Sequence, residues 1–191
     1  MMLRACLLML LFACTAVVAG EPDIDVDHDG VRTFSVRVEA EIQTGKIALD
    51  AVMHDYGQLH RMFPLVPSSR VLARPDAHSA RVRANLKGCV LFVCRELRHV
   101  VDVRRLPNGD GEARSVPSLS DFESGELHWR TEALSEHRTR LHMDGRIRPR
   151  FWLPPIIGPA LVRHKLAVEI GRTVQRLEQA AQALPAPATD H

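Results

Sequence analysis

The chain has 191 residues, 46% hydrophobic and 25% charged, with a formal net charge of +2. That length and balance suit one globular domain with a sizeable core and exclude a generally disordered chain. Near-neutrality also argues against nucleic acid as a partner, because binding phosphates takes a concentrated basic surface.

Arg4, the apolar run Ala5 to Val18 and the small residues at Val17-Val18-Ala19-Gly20 have the pattern of a secretory signal peptide. Residues 1–20 are therefore expected to be removed on export to the periplasm. Leu11-Phe12-Ala13-Cys14 offers an alternative, a lipoprotein site through which Cys14 would anchor the protein. Beyond residue 20 no apolar run reaches the roughly 18 residues that a spanning helix needs.

In residues 23–30 (DIDVDHDG), Asp25, Asp27, Asp29 and Gly30 match the first half of an EF-hand loop. The second half fails, because Val36 occupies the position of the bidentate glutamate and Arg32 the usual apolar position. A hairpin explains more: Ile24 and Val26 alternate with acids, Asp29-Gly30 is a turn dipeptide, and Phe34, Val36, Val38, Ala40 and Ile42 resume the alternation. Residues 46–63 read as two short helices broken at Gly57, the first with an apolar side of Ile47, Leu49, Val52 and Met53. His54 and His60 flank that bend and are expected at the surface.

A run of six antiparallel strands should follow. Ser68 to Ala73 forms the first. In the second, Ala80, Val82, Ala84 and Leu86 alternate with Arg81, Arg83, Asn85 and Lys87, and in the third Leu97, His99, Val101 and Val103 share a face. Residues 107–111 are a turn cluster. The remaining strands are expected at Ala113 to Leu119, Gly125 to Ala133 and Thr139 to Ile147, the last two pointing Leu127, Trp129, Thr131, Ala133 and Leu141, Met143, Gly145, Ile147 inward. The arginines between Arg138 and Arg150 fall at strand spacing and read as a solvated strand face.

Two cysteines remain after the expected export, Cys89 and Cys94. On one continuous strand their odd separation would put them on opposite faces, whereas across a tight hairpin they can reach each other. An oxidising compartment then permits a disulfide, with two buried free thiols as the alternative. The spacing is not the C-x-x-C of zinc or redox sites.

From Pro159 to Leu184 the apolar residues Leu161, Val162, Leu166, Ile170, Val174, Leu177 and Ala181 recur at helical spacing, with Arg163, Glu169, Arg172, Arg176 and Glu178 assigned to the water side. Leu184-Pro185 ends that helix, and residues 185–191 should be a disordered tail. One long amphipathic helix needs a sheet to lie on, and an antiparallel sheet needs its apolar face covered. The expected class is α+β, a curved antiparallel sheet around a long C-terminal helix, with two short helices after the first long strand.

This order resembles the START-like helix-grip superfamily, in its polyketide cyclase/dehydrase and coenzyme Q-binding branch. The resemblance is carried by Ala48 to Arg74, where Asp55-Tyr56 leads through Phe63-Pro64 to Ser69-Arg70-Val71, by Ser120-Asp121-Phe122, by Gly125-x-x-x-Trp129, and by the proline-flanked aromatics Phe151-Trp152. It covers residues 31–183 and implies one domain over 21–184, with an apolar cavity between sheet and helix. It further implies a carrier or binding protein for a lipid, quinone or sterol-like molecule, or alternatively a cyclase or dehydratase acting on a polyketide-like or aromatic substrate.

Leu86, His99, Trp129 and Met143 on the sheet and Leu166 and Ile170 on the helix are the expected ligand-binding residues. Trp152 is expected at a lip that makes transient contact with a membrane. No G-x-S-x-G or H-E-x-x-H occurs, so neither a hydrolase elbow nor zinc has motif support, and no cofactor or metal is expected. A monomer is expected.

Overall fold

Antiparallel pairing joins all eight strands into one curved, unclosed sheet, in the order β1-β2-β8-β7-β6-β5-β4-β3. The computed structural model describes residues 21–29, 32–90, 93–150 and 158–184. The segments expected as signal peptide (1–20) and tail (185–191), and Trp152 with its expected lip, lie outside them. β1 (Asp23–His28) and β2 (Phe34–Ile42) form the expected hairpin. Its turn uses the Asp29 carboxylate locally, accepting from the backbone N–H groups of Arg32 at 3.0 Å and Thr33 at 2.9 Å.

α1 (Lys46–Met53), a short 3-10 turn at Tyr56–Gln58 and α2 (Leu59–Met62) come next. Leu49, Val52 and Met53 are buried, but Ile47 is 73% exposed, contrary to the sequence expectation. Two residues from Leu49 is about 200° around a helix, so Ile47 cannot share its face. α1 is tied to the sheet by a polar clasp: Asp50 accepts from Thr131 Oγ1 at 2.6 Å and from Lys46 Nζ at 2.7 Å.

β3 (Ser68–Asp76), β4 (Ser79–Val90), β5 (Val93–Arg105), β6 (Gly111–Ser115), β7 (Phe122–Ser135) and β8 (Arg138–Pro149) complete the sheet. β6 stops four residues before the expected Leu119, and Pro117–Leu119 forms a 3-10 turn instead. Pro117 has no N–H for the ladder, so the chain leaves the sheet there. The Ser120 hydroxyl takes over, accepting from Val100 N at 2.9 Å and donating to Val100 O at 3.0 Å.

α3 (Gly158–Gln182) packs against β1, β2, α1 and α2. Its C-terminal half supplies Val174, Leu177 and Ala181 to a core shared with Val38, Ile42, Leu49, Trp129, Leu141 and Met143. Glu169 is buried, at 4% exposure, not on the water side. Lys165 and Arg172, one turn either side, both donate to its Oε1, which lets a carboxylate sit at the margin of an apolar stripe.

Cys89 and Cys94 are directly opposite across the β4–β5 hairpin, with Cα atoms 4.0 Å apart, and are joined as a disulfide. The loop it closes is short, so its entropic effect is at the small end of the range. Replacing both cysteines with serine should cost about 2 kcal/mol of unfolding free energy, read by urea denaturation. Full thiol labelling of both residues in protein purified without reductant would exclude the bond.

Candidate functional site: the gap between sheet and helix

The concave face of the sheet has two ends of different character. Where α1 and the C-terminal half of α3 lie, side chains are packed to within a few per cent of full burial. Toward the β4–β5 hairpin and the start of α3, inward residues outside that core stay half-buried: Leu86, Leu97, His99 and Leu166. The expected ligand residues therefore divide. Trp129 and Met143 belong to the packed core and Ile170 packs against it, whereas Leu86, His99 and Leu166 lie at the looser end. Trp152 lies outside the described residues.

His99 is the polar residue of that looser end. Its position is set on both sides: Arg98 N donates to the Asp121 carboxylate at 2.7 Å, and Val100 is pinned by Ser120. The ring packs against Phe122, centroids 4.6 Å apart, and Nε2 lies 2.6 Å from Ser115 Oγ on the neighbouring strand. Burial lowers its pKa from 6.5 to about 4, so the imidazole is neutral at pH 7. A neutral histidine paired to serine presents a hydrogen-bonding group in apolar surroundings, but with this pKa it is a weak general base.

Two glycines make room for this arrangement. A Cβ on Gly125 would stand 2.4 Å from Ser115 Oγ, and one on Gly145 would stand 3.0 Å from Leu127 Cδ1. A third, Gly111, is covered by the Trp129 indole, which a Cβ there would meet at 2.1 Å. Ser115, Phe122 and Gly125 were not singled out as site residues from the sequence. Alternation from Ala113 would have pointed Ser115 inward. Phe122 was hidden by the irregularity between Phe122 and Ser124, which breaks the two-residue period.

His54 also departs from expectation. It is half-buried rather than at the surface, with Nδ1 2.6 Å from the Asp50 carbonyl oxygen and its ring beside Trp129 and Tyr56. Burial raises the pKa of Tyr56, with Arg105 and Arg74 opposing the shift.

Among the described residues, no group of three or more His, Cys, Asp or Glu is placed to hold a metal ion, and no helix is long and apolar enough to cross a membrane. Two open hollows lie elsewhere. One, of about 310 Å³, is lined by charged residues such as Asp25, Arg37, Asp144 and Arg146. The other, of about 650 Å³, lies beside the β3–β4 and β5–β6 turns at Asp76, His78, Arg104 and Leu106.

One curved sheet gripping one long helix is the helix-grip arrangement. Solved structures share this fold. A START superfamily protein from Mycobacterium smegmatis superposes with a TM-score of 0.62 at 14% identity, covering 79% of this chain and 99% of its own. A STAR-related lipid transfer protein from Xanthomonas axonopodis gives 0.61 at 12% identity, covering 85% and 99%. A Streptomyces aromatase/cyclase gives 0.58 at 15% identity, covering 78% and 91%. The chain has the START-like helix-grip fold. No family sequence model matches it, and no curated protein matches it in sequence.

Proposed function

We propose that this is an exported binding or carrier protein for a hydrophobic small molecule of the lipid, quinone or sterol-like kind, held between the sheet and α3. The observation that carries the reading is the graded burial of the concave face. Leu86, Leu97 and Leu166 point inward yet stay half-buried outside the core, while the same face is closed at its other end. Ligand sites are concave and mostly apolar, with a few placed polar groups, and here His99 and Ser115 supply them. The fold neighbours that include a lipid transfer protein support the ligand class. Export rests on the N-terminal sequence pattern, which would place the carrier in the periplasm or, through Cys14, on a membrane.

Mass spectrometry of an organic extract of the purified protein tests the reading directly. In addition, the apolar dye N-phenylnaphthylamine should bind, and Leu166→Lys should weaken that binding about tenfold, because dye seated against this position would have to desolvate the ammonium without giving it a partner. Half-exposed Leu166 lies outside the packed core, so this variant should keep its melting temperature within a few degrees. Dye affinity unchanged in Leu166→Lys would move the ligand away from this gap.

The aromatase/cyclase neighbour and the His99–Ser115 pair favour a second reading, a cyclase or dehydratase acting on a polyketide-like or aromatic substrate. It requires turnover that His99→Ala abolishes.

A further inference from the structure

The hollow of about 650 Å³ lies at the end of the sheet formed by the β3–β4 and β5–β6 turns, away from the β4–β5 hairpin. His78, Arg104, Arg105, Leu106 and Pro107 line it, together with Asp76. Backbone hydrogen bonds fix its walls. Arg105 N donates to the His78 carbonyl at 2.8 Å, joining the two turns, and Leu106 N donates to the Asp110 carbonyl at 2.7 Å. Consecutive strand residues point to opposite faces. Arg104 and Arg105 nevertheless both border the hollow, because β5 ends at Arg105 and the space lies off the strand end.

The charges there are unevenly satisfied. Asp76 accepts from His78 N at 2.7 Å and from Ser79 Oγ at 2.6 Å, so its carboxylate is engaged within its own turn. The Arg104 and Arg105 guanidiniums make no hydrogen bond or ion pair among the described residues, whereas nearby Arg81 is held by Asp102 at 2.7 and 2.8 Å. A third guanidinium, Arg74, stands in the same part of the molecule, since its field and that of Arg105 both reach the Tyr56 hydroxyl. Planar guanidiniums match the paired oxygens of a phosphate or carboxylate. Beside them, Leu106 and Pro107 offer an apolar wall for a carbon skeleton. An uncharged molecule would leave the guanidiniums without a counter-charge, and a cation would be repelled.

We infer that this hollow is a second binding site, for the phosphate group of an organic molecule, with Arg104 and Arg105 holding the charge and Leu106 and Pro107 meeting the carbon skeleton. The site lies apart from the gap between sheet and α3 and does not depend on the carrier reading. Calorimetric titration of the full chain with naphthyl phosphate, and with naphthol as its uncharged counterpart, tests it. Replacing both arginines, Arg104→Gln with Arg105→Gln, should weaken naphthyl phosphate at least tenfold, the worth of about one hydrogen bond to a charged group, and leave any naphthol binding unchanged. Both side chains are exposed and unpaired among the described residues, so the melting temperature should hold. Arg95→Gln removes the same charge about 30 Å away along β5 and should have no effect. Vesicles and inorganic phosphate separate the sources of the phosphate. Flotation with phosphatidylglycerol vesicles, absent with phosphatidylcholine alone and lost in the double variant, assigns it to a membrane lipid. Displacement of naphthyl phosphate by inorganic phosphate without flotation assigns it to a free phosphorylated molecule.

Failure of naphthyl phosphate to bind would overturn the inference, as would binding that the double variant leaves intact. Equal weakening in Arg95→Gln and the double variant would overturn it too, because attraction to a general positive surface, not to this hollow, would then be at work. None of these results bears on N-phenylnaphthylamine in the gap, so the carrier reading is decided separately.

Discussion

Leu177→Ala should lower the unfolding free energy by about 3 kcal/mol in urea at neutral pH. Leu177 is fully buried, at 0% exposure, in the cluster where α3 meets Val38, Leu141, Trp129 and Met143. Removing three carbons there loses their transfer energy and leaves a cavity in close-packed surroundings that relax only partly. The same truncation at Leu166 removes the same atoms from a half-buried position and should cost about 1 kcal/mol or less. This contrast measures the division of the helix into a C-terminal half that holds the fold and an N-terminal half that borders the gap. Equal costs at the two positions would show that α3 is gripped evenly along its length, and the graded-burial argument would lose its basis.

The second large effect is a loss of stability in acid, traceable to His99. Its folded-state pKa is lowered to about 4 from 6.5 by burial, so the folded protein favours the neutral ring. Above the unfolded value the two states bind the same number of protons and this stabilising preference is fully present. As pH falls from 6.5 toward 4, the unfolded chain takes up a proton that the folded one resists, and stability is progressively lost. The lowering from 6.5 to about 4 sets a ceiling of about 3 kcal/mol by the time both states are protonated.

His99→Phe keeps a flat apolar ring against Phe122 but removes the titrating group. Its stability at neutral pH will reflect the lost contact to Ser115, so the informative quantity is the slope. Between pH 6.5 and 4.5 the variant should lose clearly less stability than the natural protein. Parallel curves for the two would mean that His99 is solvated and protonated normally, and its burial beside Phe122 and Ser115 would have to be abandoned.

Local patterns in the chain were sufficient for the elements themselves. Alternation in residues 80–87 and 97–103 implies half-buried strands because side chains of a strand point alternately to its two faces. The 3.6-residue stripe from Leu161 to Ala181 implies a helix with one dry side. Cys89 and Cys94 could be read as a hairpin pair from spacing alone, because the other geometry puts them on opposite faces. The inward direction of His99 came from the same alternation. Where a local interruption occurred, the period failed: Pro117 ended β6 early, and the irregularity after Phe122 concealed an aromatic that packs on His99.

What no periodicity could reveal is how far apart the sheet and α3 stand at each point. Leu86, Trp129, Met143 and Leu166 carry the same inward signature in sequence, yet two are core and two border the gap. That difference is set by the curvature of the sheet and the line of the helix across it, which depend on all eight strands at once. Glu169 and His54 were misplaced for a related reason. Side-chain polarity predicts exposure only when no partner is at hand, and their partners become neighbours on folding: Lys165 and Arg172 one helical turn from Glu169, and Asp50 one turn from His54, with Trp129 brought in from a distant strand. Sequence alone thus determines which residues face inward along each element. Only the tertiary structure decides which of them meet, because that depends on distances between elements far apart in the chain.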